Sequence, residues 1–199
     1  FISTAFLLIT GTALTLCLEY NNAVTLEGLP LSDKIQAAFF QSVTTRTAGF
    51  ASLPQENLKN PTAILSLLLM FIGGSPVGTA GGIKTVTAAV LLSITVSLIS
   101  GKNSVSLFGR TISKQSVYKA VAVTVMSFSV MFVSTLLLSA VTNAPALDIL
   151  FETVSATATV GLSRSLTGAL NLLGKLIIIF TMYFGRVGPI SIAIAFGGK

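Results

Sequence analysis

Five stretches of this chain, residues 1–18, 60–83, 85–101, 120–147 and 187–198, contain no Asp, Glu, Lys or Arg. A helix needs about 20 apolar residues to cross the hydrocarbon core of a bilayer, and runs of this length leave a water-soluble globule few ways to cover them. Hydrophobic residues make up 52% of the 199 and charged residues only 9%, so too little polar surface exists to wrap such segments in water. The sequence therefore predicts an all-α polytopic membrane protein with the lipid bilayer as its first partner. The net charge of +6 then reads as a topology signal; no basic face accompanies it, and nucleic acid is not expected as a partner.

Between the long runs lie two short, hydroxyl-rich ones. Phe39 to Phe50 ends Thr47-Ala48-Gly49-Phe50, and Phe151 to Leu162 ends Thr159-Val160-Gly161-Leu162. Each reads as a half-membrane helix followed by a re-entrant loop. A dehydrated K+ needs a ring of oxygens, which backbone carbonyls supply when the chain runs extended toward a pore axis. Gly allows backbone geometry that other residues resist, and a preceding Thr adds a hydroxyl oxygen. Irregular backbone at membrane depth is tolerated where it is buried in protein or lines a water-filled cavity. The candidate ion-binding residues are Thr45, Arg46, Thr47, Ala48 and Gly49 in the first copy, and Thr157, Ala158, Thr159, Val160 and Gly161 in the second.

Taken in order, the chain predicts an outer helix over 1–20, a pore helix over 33–45 capped by Ser32 or Asp33, a filter at 47–50, and an inner helix over 61–100. That inner helix is broken at Gly73-Gly74-Ser75-Pro76-Val77-Gly78-Thr79-Ala80-Gly81-Gly82, because five glycines and a proline do not make a straight helix. Such a break at membrane depth reads as a gate. A basic linker follows over 101–116, and Lys102, Arg110, Lys114 and Lys119 meet no acid between 101 and 119. The second unit predicts an outer helix over 117–141, a pore helix over 146–157, a filter at 159–162 and an inner helix over 169–198. The six acids, Glu19, Glu27, Asp33, Glu56, Asp148 and Glu152, all fall on the side where the short helices enter. The positive-inside rule makes the linker cytoplasmic and opens the re-entrant loops to the outside.

The two units share one offset of 112 residues, the distance from Phe39 to Phe151. It also maps Thr45 to Thr157, Thr47 to Thr159, Gly49 to Gly161, Met70 to Met182 and Gly73 to Gly185. Each unit is thus a helix, re-entrant loop, helix repeat. Two loops make half of a pseudo-fourfold ring, so either two copies assemble or two further repeats lie upstream of Phe1. Phe1 in place of an initiator Met, and the lack of a basic leader, lead us to expect a piece of a longer chain. The single Cys17 is expected to be a buried thiol, and no His is present to serve as metal ligand or base.

Thr44 to Phe50, Gly73 to Thr85 with its Ile83-Lys84-Thr85 ending, and Gly185-Arg186-Val187-Gly188-Pro189 together resemble the Trk/Ktr/HKT superfamily of potassium transporters. The chain looks most like the bacterial Ktr-type membrane subunit, with Trk next, and the likeness covers it as repeats three and four of four. The resemblance implies a plasma-membrane K+ transporter with Gly49 and Gly161 as the central filter glycines. It implies a gate loop at Gly73 to Gly82, with Arg186 and Lys84 as gate-associated charges. Its expected partners are repeats one and two, a second copy in a homodimer, and a cytosolic nucleotide-binding ring. No organic cofactor is expected on this chain.

Other readings compete. Either filter run alone is an ordinary turn, and the Gly-rich stretch also fits close helix packing. Gly78 to Thr85 grazes a phosphate-binding loop, but Ile83 separates Gly82 from Lys84. Arg186 is a buried functional charge or a snorkelling one. Arg46 is expected to brace its loop, with Glu152 as partner. For the whole chain, the alternatives are a dimeric two-pore-domain cation channel and a Na+-coupled K+ transporter. With no clustered carboxylates, His or reactive Cys, no enzyme activity is expected.

Overall fold

The computed structural model describes residues 2–75, 81–101, 106–107 and 110–188. Its helices are α1 (Ile2–Glu19), α2 (Leu31–Thr44), α3 (Asn60–Phe71), α4 (Thr85–Ile99), α5 (Lys114–Val141), α6 (Ala146–Thr157), α7 (Leu166–Ala169) and α8 (Leu172–Val187). A departure from all-helix lies inside the expected linker, where β1 (Ser106–Leu107) pairs antiparallel with β2 (Arg110–Thr111). Helices α1, α2 and α3 stand in the same order as α5, α6 and α8. With 14 and 12 residues, α2 and α6 are about 21 and 18 Å long, short of a bilayer core.

Several boundaries differ from those the sequence suggests. Helix α2 starts at Leu31 because Pro30, not Ser32 or Asp33, stands at its N-cap, and the Pro30 carbonyl accepts the amides of Asp33 and Lys34. The second outer helix starts at Lys114, where Ser113 caps it by accepting from the amide of Ser116 at 3.3 Å. The last segment is divided: α7 is a single turn, and Asn171 restarts the helix as the N-cap of α8, accepting from the Gly174 amide. Helix α8 then ends at Val187, because Gly188 takes φ of 83°. The expected run to 198 continues into residues outside those described.

The burial pattern is that of a protein whose solvent is lipid. Helix α1 buries Gly11, Thr15 and Glu19, α4 buries Thr85, Ser93 and Ser97 beside Val90, and α8 buries Gly174, Ile178 and Thr181. Large apolar side chains point outward instead, among them Phe6, Ile9, Leu98, Phe128 and Phe132. In water this arrangement would expose the groups that drive folding; in a bilayer, small and hydroxyl residues belong at helix contacts. Hydroxyls do bridge the helices: Thr181 donates to Ser134 at 2.7 Å, Thr135 and Thr153 pair at 2.8 Å, and Ser42 donates to the Leu8 carbonyl at 3.1 Å. Ile2–Glu19 and Lys114–Val141 are long and apolar enough to span a membrane, with mean hydropathies of 1.6 and 2.2. Cys17 is exposed rather than buried. It lies two residues, or about 200° of helix, from the inward-facing Thr15.

Helix α6 is the centre of the fold. Its Phe151 and Val154 pack with Ala63 and Met70 of α3 and with Ala158, Val160 and Leu162; its Ile149 and Ala156 join Leu138, Leu166, Leu170 and Ile178. Phe151 is fully buried, whereas its repeat counterpart Phe39 is 51% exposed.

Glu19, fully buried at the end of α1, joins three segments. Its carboxylate accepts from Asn22 Nδ2, from Thr25 Oγ1 at 2.8 Å, and from the Lys59 amide at 3.0 Å, at the N-cap of α3. A negative charge is favourable at that helix start. Glu19→Ala strips three donors of a charged acceptor and is expected to cost about 3 kcal/mol. In thermal unfolding of the full-length, detergent-extracted protein, its midpoint should fall by about 3–5 °C, with the exposed Glu27→Ala unchanged.

Candidate functional site

The two segments after the short helices are bends of the same shape. Thr47 has φ of 71° and Gly49 of 76°; at the same repeat positions, Thr159 has 55° and Gly161 has 95°. A positive φ at Thr is uncommon and costs roughly 1–3 kcal/mol unless the surroundings impose it. Here a hydroxyl near the end of each short helix does so, from positions one residue apart in the repeat. Thr44 Oγ1 donates to the Phe50 carbonyl at 2.6 Å and accepts the Phe50 amide at 2.8 Å. Ser155 Oγ accepts the Gly161 amide at 3.1 Å. Thr45 and Thr157 donate back to the carbonyls of Ser42 and Thr153, at 2.9 and 2.8 Å. Because Thr45 and Thr157 donate in these bonds, their hydroxyl lone pairs are not used by them.

The bends face each other at their glycines. A Cβ on Gly49 would collide with the Val160 carbonyl oxygen, and one on Gly161 would lie 3.9 Å from Gly49 Cα. Against them sit the described ends of the interruption between α3 and α4. Its base is closed by a parallel bridge of Ile72 with Ile83, and by Gly74, whose carbonyl accepts the Thr85 amide at 3.2 Å. Gly81 approaches the second bend so closely that a Cβ would stand 2.7 Å from the Ala158 carbonyl, and a Cβ on Gly82 would stand 3.2 Å from Ala158 Cβ. Arg46, at the repeat position of Ala158, donates to the Gly73 carbonyl at 3.3 Å. The structure thus joins Gly73, Gly81 and Gly82 to the bends, while Gly74 holds the start of α4. Ser75 instead hydrogen-bonds Thr4 of α1 at 3.3 Å. Pro76, Val77, Gly78, Thr79 and Ala80 lie outside the described residues.

Arg46 was expected to meet Glu152 but reaches the helix break. Glu152 accepts from Ser163 at 2.7 Å and from Thr167, which hold it beside the second bend. A cavity of about 560 Å³ opens there, lined by Glu152, Thr159, Gly161, Ser163, Tyr183 and Arg186. Arg186 is exposed in this chain rather than buried mid-helix. It falls in the last turn of α8, where a cation complements the helix dipole. Lys84, at the N-cap of α4, lies close enough to feel the Arg186 charge.

Two groups of residues escape the sequence reading. Gln41 and Gln55 form a reciprocal amide pair at 2.8 and 3.0 Å, and Arg164 reaches from behind the second bend to the segment that follows the first. The available signal for Arg164 was its place as the one charged residue between Glu152 and Lys175.

The family profile described as TrkH, a cation transport protein, matches residues 1–198. The chain is 43% identical over 179 residues to the Ktr system potassium uptake protein B of Bacillus subtilis (strain 168), covering 90% of this chain and 40% of that protein. It is 38% identical over 192 residues to the protein of the same name from Vibrio alginolyticus, covering 96% of this chain and 42% of that one. To the potassium/sodium uptake protein NtpJ of Enterococcus hirae it is 39% identical over 193 residues, covering 95% and 43%. The chain spans about two fifths of the length of these relatives. The crystal structure of the potassium transporter TrkH from Vibrio parahaemolyticus superposes with a TM-score of 0.78 at 20% identity, over 97% of this chain and 43% of that one. At that identity the likeness shows a shared fold.

Proposed function

We propose that this chain, which belongs to the TrkH family of cation transport proteins, carries two of four quarters of a potassium path through the bacterial plasma membrane. The observation that carries the reading is the repeated bend. Two backbone segments with left-handed residues at matching positions, each pinned by a hydroxyl, meet at Gly49 and Gly161. Neither glycine puts a side chain between them. Carbonyls of Thr45 to Gly49 and Thr157 to Gly161 replace water around K+. Gly73, Gly81 and Gly82 lie against the same bends, and the stretch from Gly73 to Gly82 gates the flow, with Arg186 and Lys84 as nearby positive charges. The names of the relatives, potassium uptake proteins, support K+ as the transported ion.

Phe39 supports the need for preceding repeats. Its counterpart Phe151 is buried by α3 of the repeat before it, and the matching face of α2 is open. An inner helix of an upstream repeat fits that face. The same reading places the bends toward the outside and the basic 101–119 segment in the cytoplasm. It adds a second copy as homodimer and a cytosolic nucleotide-binding ring as partners.

The test is ion competition in the full-length protein, expressed in cells without other K+ uptake. Gly49→Ser and Gly161→Ser should each lower the K+/Na+ preference; unchanged preference in both would remove the bends from the ion path. Deleting Pro76 to Ala80 should raise K+ flux, since the Ile72–Ile83 bridge and the Gly74–Thr85 hydrogen bond remain to close the base. Unaltered flux would reduce the Gly-rich stretch to helix packing.

A further inference from the structure

Arg164 lies three residues beyond Gly161 and, at 9% exposure, is nearly enclosed. Its Nε donates to Asp148 Oδ1 at 2.7 Å, in the first turn of α6. The other end of the guanidinium crosses to the first repeat. Nη1 donates to the Gln55 carbonyl at 2.9 Å and the Leu58 carbonyl at 3.4 Å, and Nη2 to the Glu56 carbonyl at 3.3 Å. A planar group with five fixed donors suits this fan of acceptors, and an ammonium does not.

The segment it grips is itself tied to the first bend. Gln55 and Gln41, both buried, exchange two amide hydrogen bonds, and the Gln41 carbonyl accepts the Thr45 amide at 3.3 Å, where α2 ends. A continuous path therefore runs from the second bend through Arg164, Gln55 and Gln41 to the first bend. The repeat does not supply it twice, since the counterpart of Arg164 is Ser52.

We infer that Arg164 is a positioning residue that sets the spacing between the two bends and so the preference among monovalent cations. The inference rests on the ion-path reading above. The Gly49–Val160 approach leaves no room for a Cβ, so a small slip of one repeat against the other changes which carbonyls face the ion. A carbonyl ring selects by the number and direction of its dipoles, which makes such a slip a change in selectivity.

The experiment measures K+/Na+ preference of uptake in the full-length protein, normalised to the amount in the membrane. Arg164→Ala should lower the preference about tenfold, equivalent to about 1.4 kcal/mol. Arg164→Lys keeps the charge but not the fork and should lose several-fold; it decides the matter if the alanine variant fails to reach the membrane. Asp148→Asn leaves the three carbonyl contacts in place and should keep the preference while lowering thermal stability. Wild-type preference in both Arg164 variants overturns the inference, as does an Asp148→Asn loss equal to that of Arg164→Ala. Gly49→Ser run alongside separates the failures. If it lowers the preference and the Arg164 variants do not, only the positioning role falls; if none of them does, the ion-path reading falls and takes this role with it.

Discussion

Gly49→Ser is expected to lower the K+/Na+ preference of uptake about tenfold or more, and to do so more severely than Gly161→Ser. Both positions have positive φ, 76° and 95°, where an L side chain costs on the order of 2 kcal/mol. Only Gly49 also places a Cβ onto a backbone oxygen, that of Val160; at Gly161 the nearest described atom to such a Cβ is 3.9 Å away. A backbone oxygen has no rotamer with which to yield, so the first bend must re-aim its carbonyls. Relieving 2 kcal/mol in that way is ample for a tenfold change. Competitive uptake of K+ against Na+ checks it. A larger effect at Gly161 would mean that the two bends do not meet as described.

The second large effect is expected at Gly185, in the last turn of α8. A Cβ there would overlap the Thr157 carbonyl oxygen and stand 2.9 Å from its carbon and 3.1 Å from the Ala156 oxygen. In a free helix, Gly→Ala gains about 1 kcal/mol, so destabilisation by alanine isolates the collision. Gly185→Val should cost about 2 kcal/mol or more through overpacking and push α8 away from the second bend, abolishing uptake. Gly168→Ala, with nothing within 4 Å of its Cβ, should stay within about 0.5 kcal/mol of the parent. Thermal midpoints and uptake of the three variants decide it. If Gly185→Val retained full uptake, α8 would not set the shape of the site.

The offset of 112 was legible because the same residue types serve the same backbone task twice. Thr47 and Thr159, like Gly49 and Gly161, share a left-handed conformation as well as a place in the repeat. The long segments were legible because lipid demands apolar length, and the charge-free runs give it. Arg164 was not, because three of its acceptors are main-chain carbonyls 106 to 109 residues away, and a carbonyl leaves no mark on sequence. Arg46 was misdirected for the same reason: its acceptor is the carbonyl of Gly73, not the carboxylate of Glu152. The start of α2 and the end of α8 depend on Pro30 and Gly188, whose local backbone geometry overrides the apolar pattern around them. Cys17 illustrates a general inversion, since in this chain the inward face of a helix is its small and hydroxyl side.

Arg46 faces the helix break from the first bend, and at the matching position the second bend offers only the methyl of Ala158. In a ring of identical subunits, a substitution beside the ion enters at every position at once, and most such changes are ruinous. Two repeats joined in one polypeptide escape that multiplication. Each bend can acquire its own charge, latch or contact while the other keeps the shared backbone form. Arg46 and Arg164, neither of which has a counterpart 112 residues away, are the traces of that freedom.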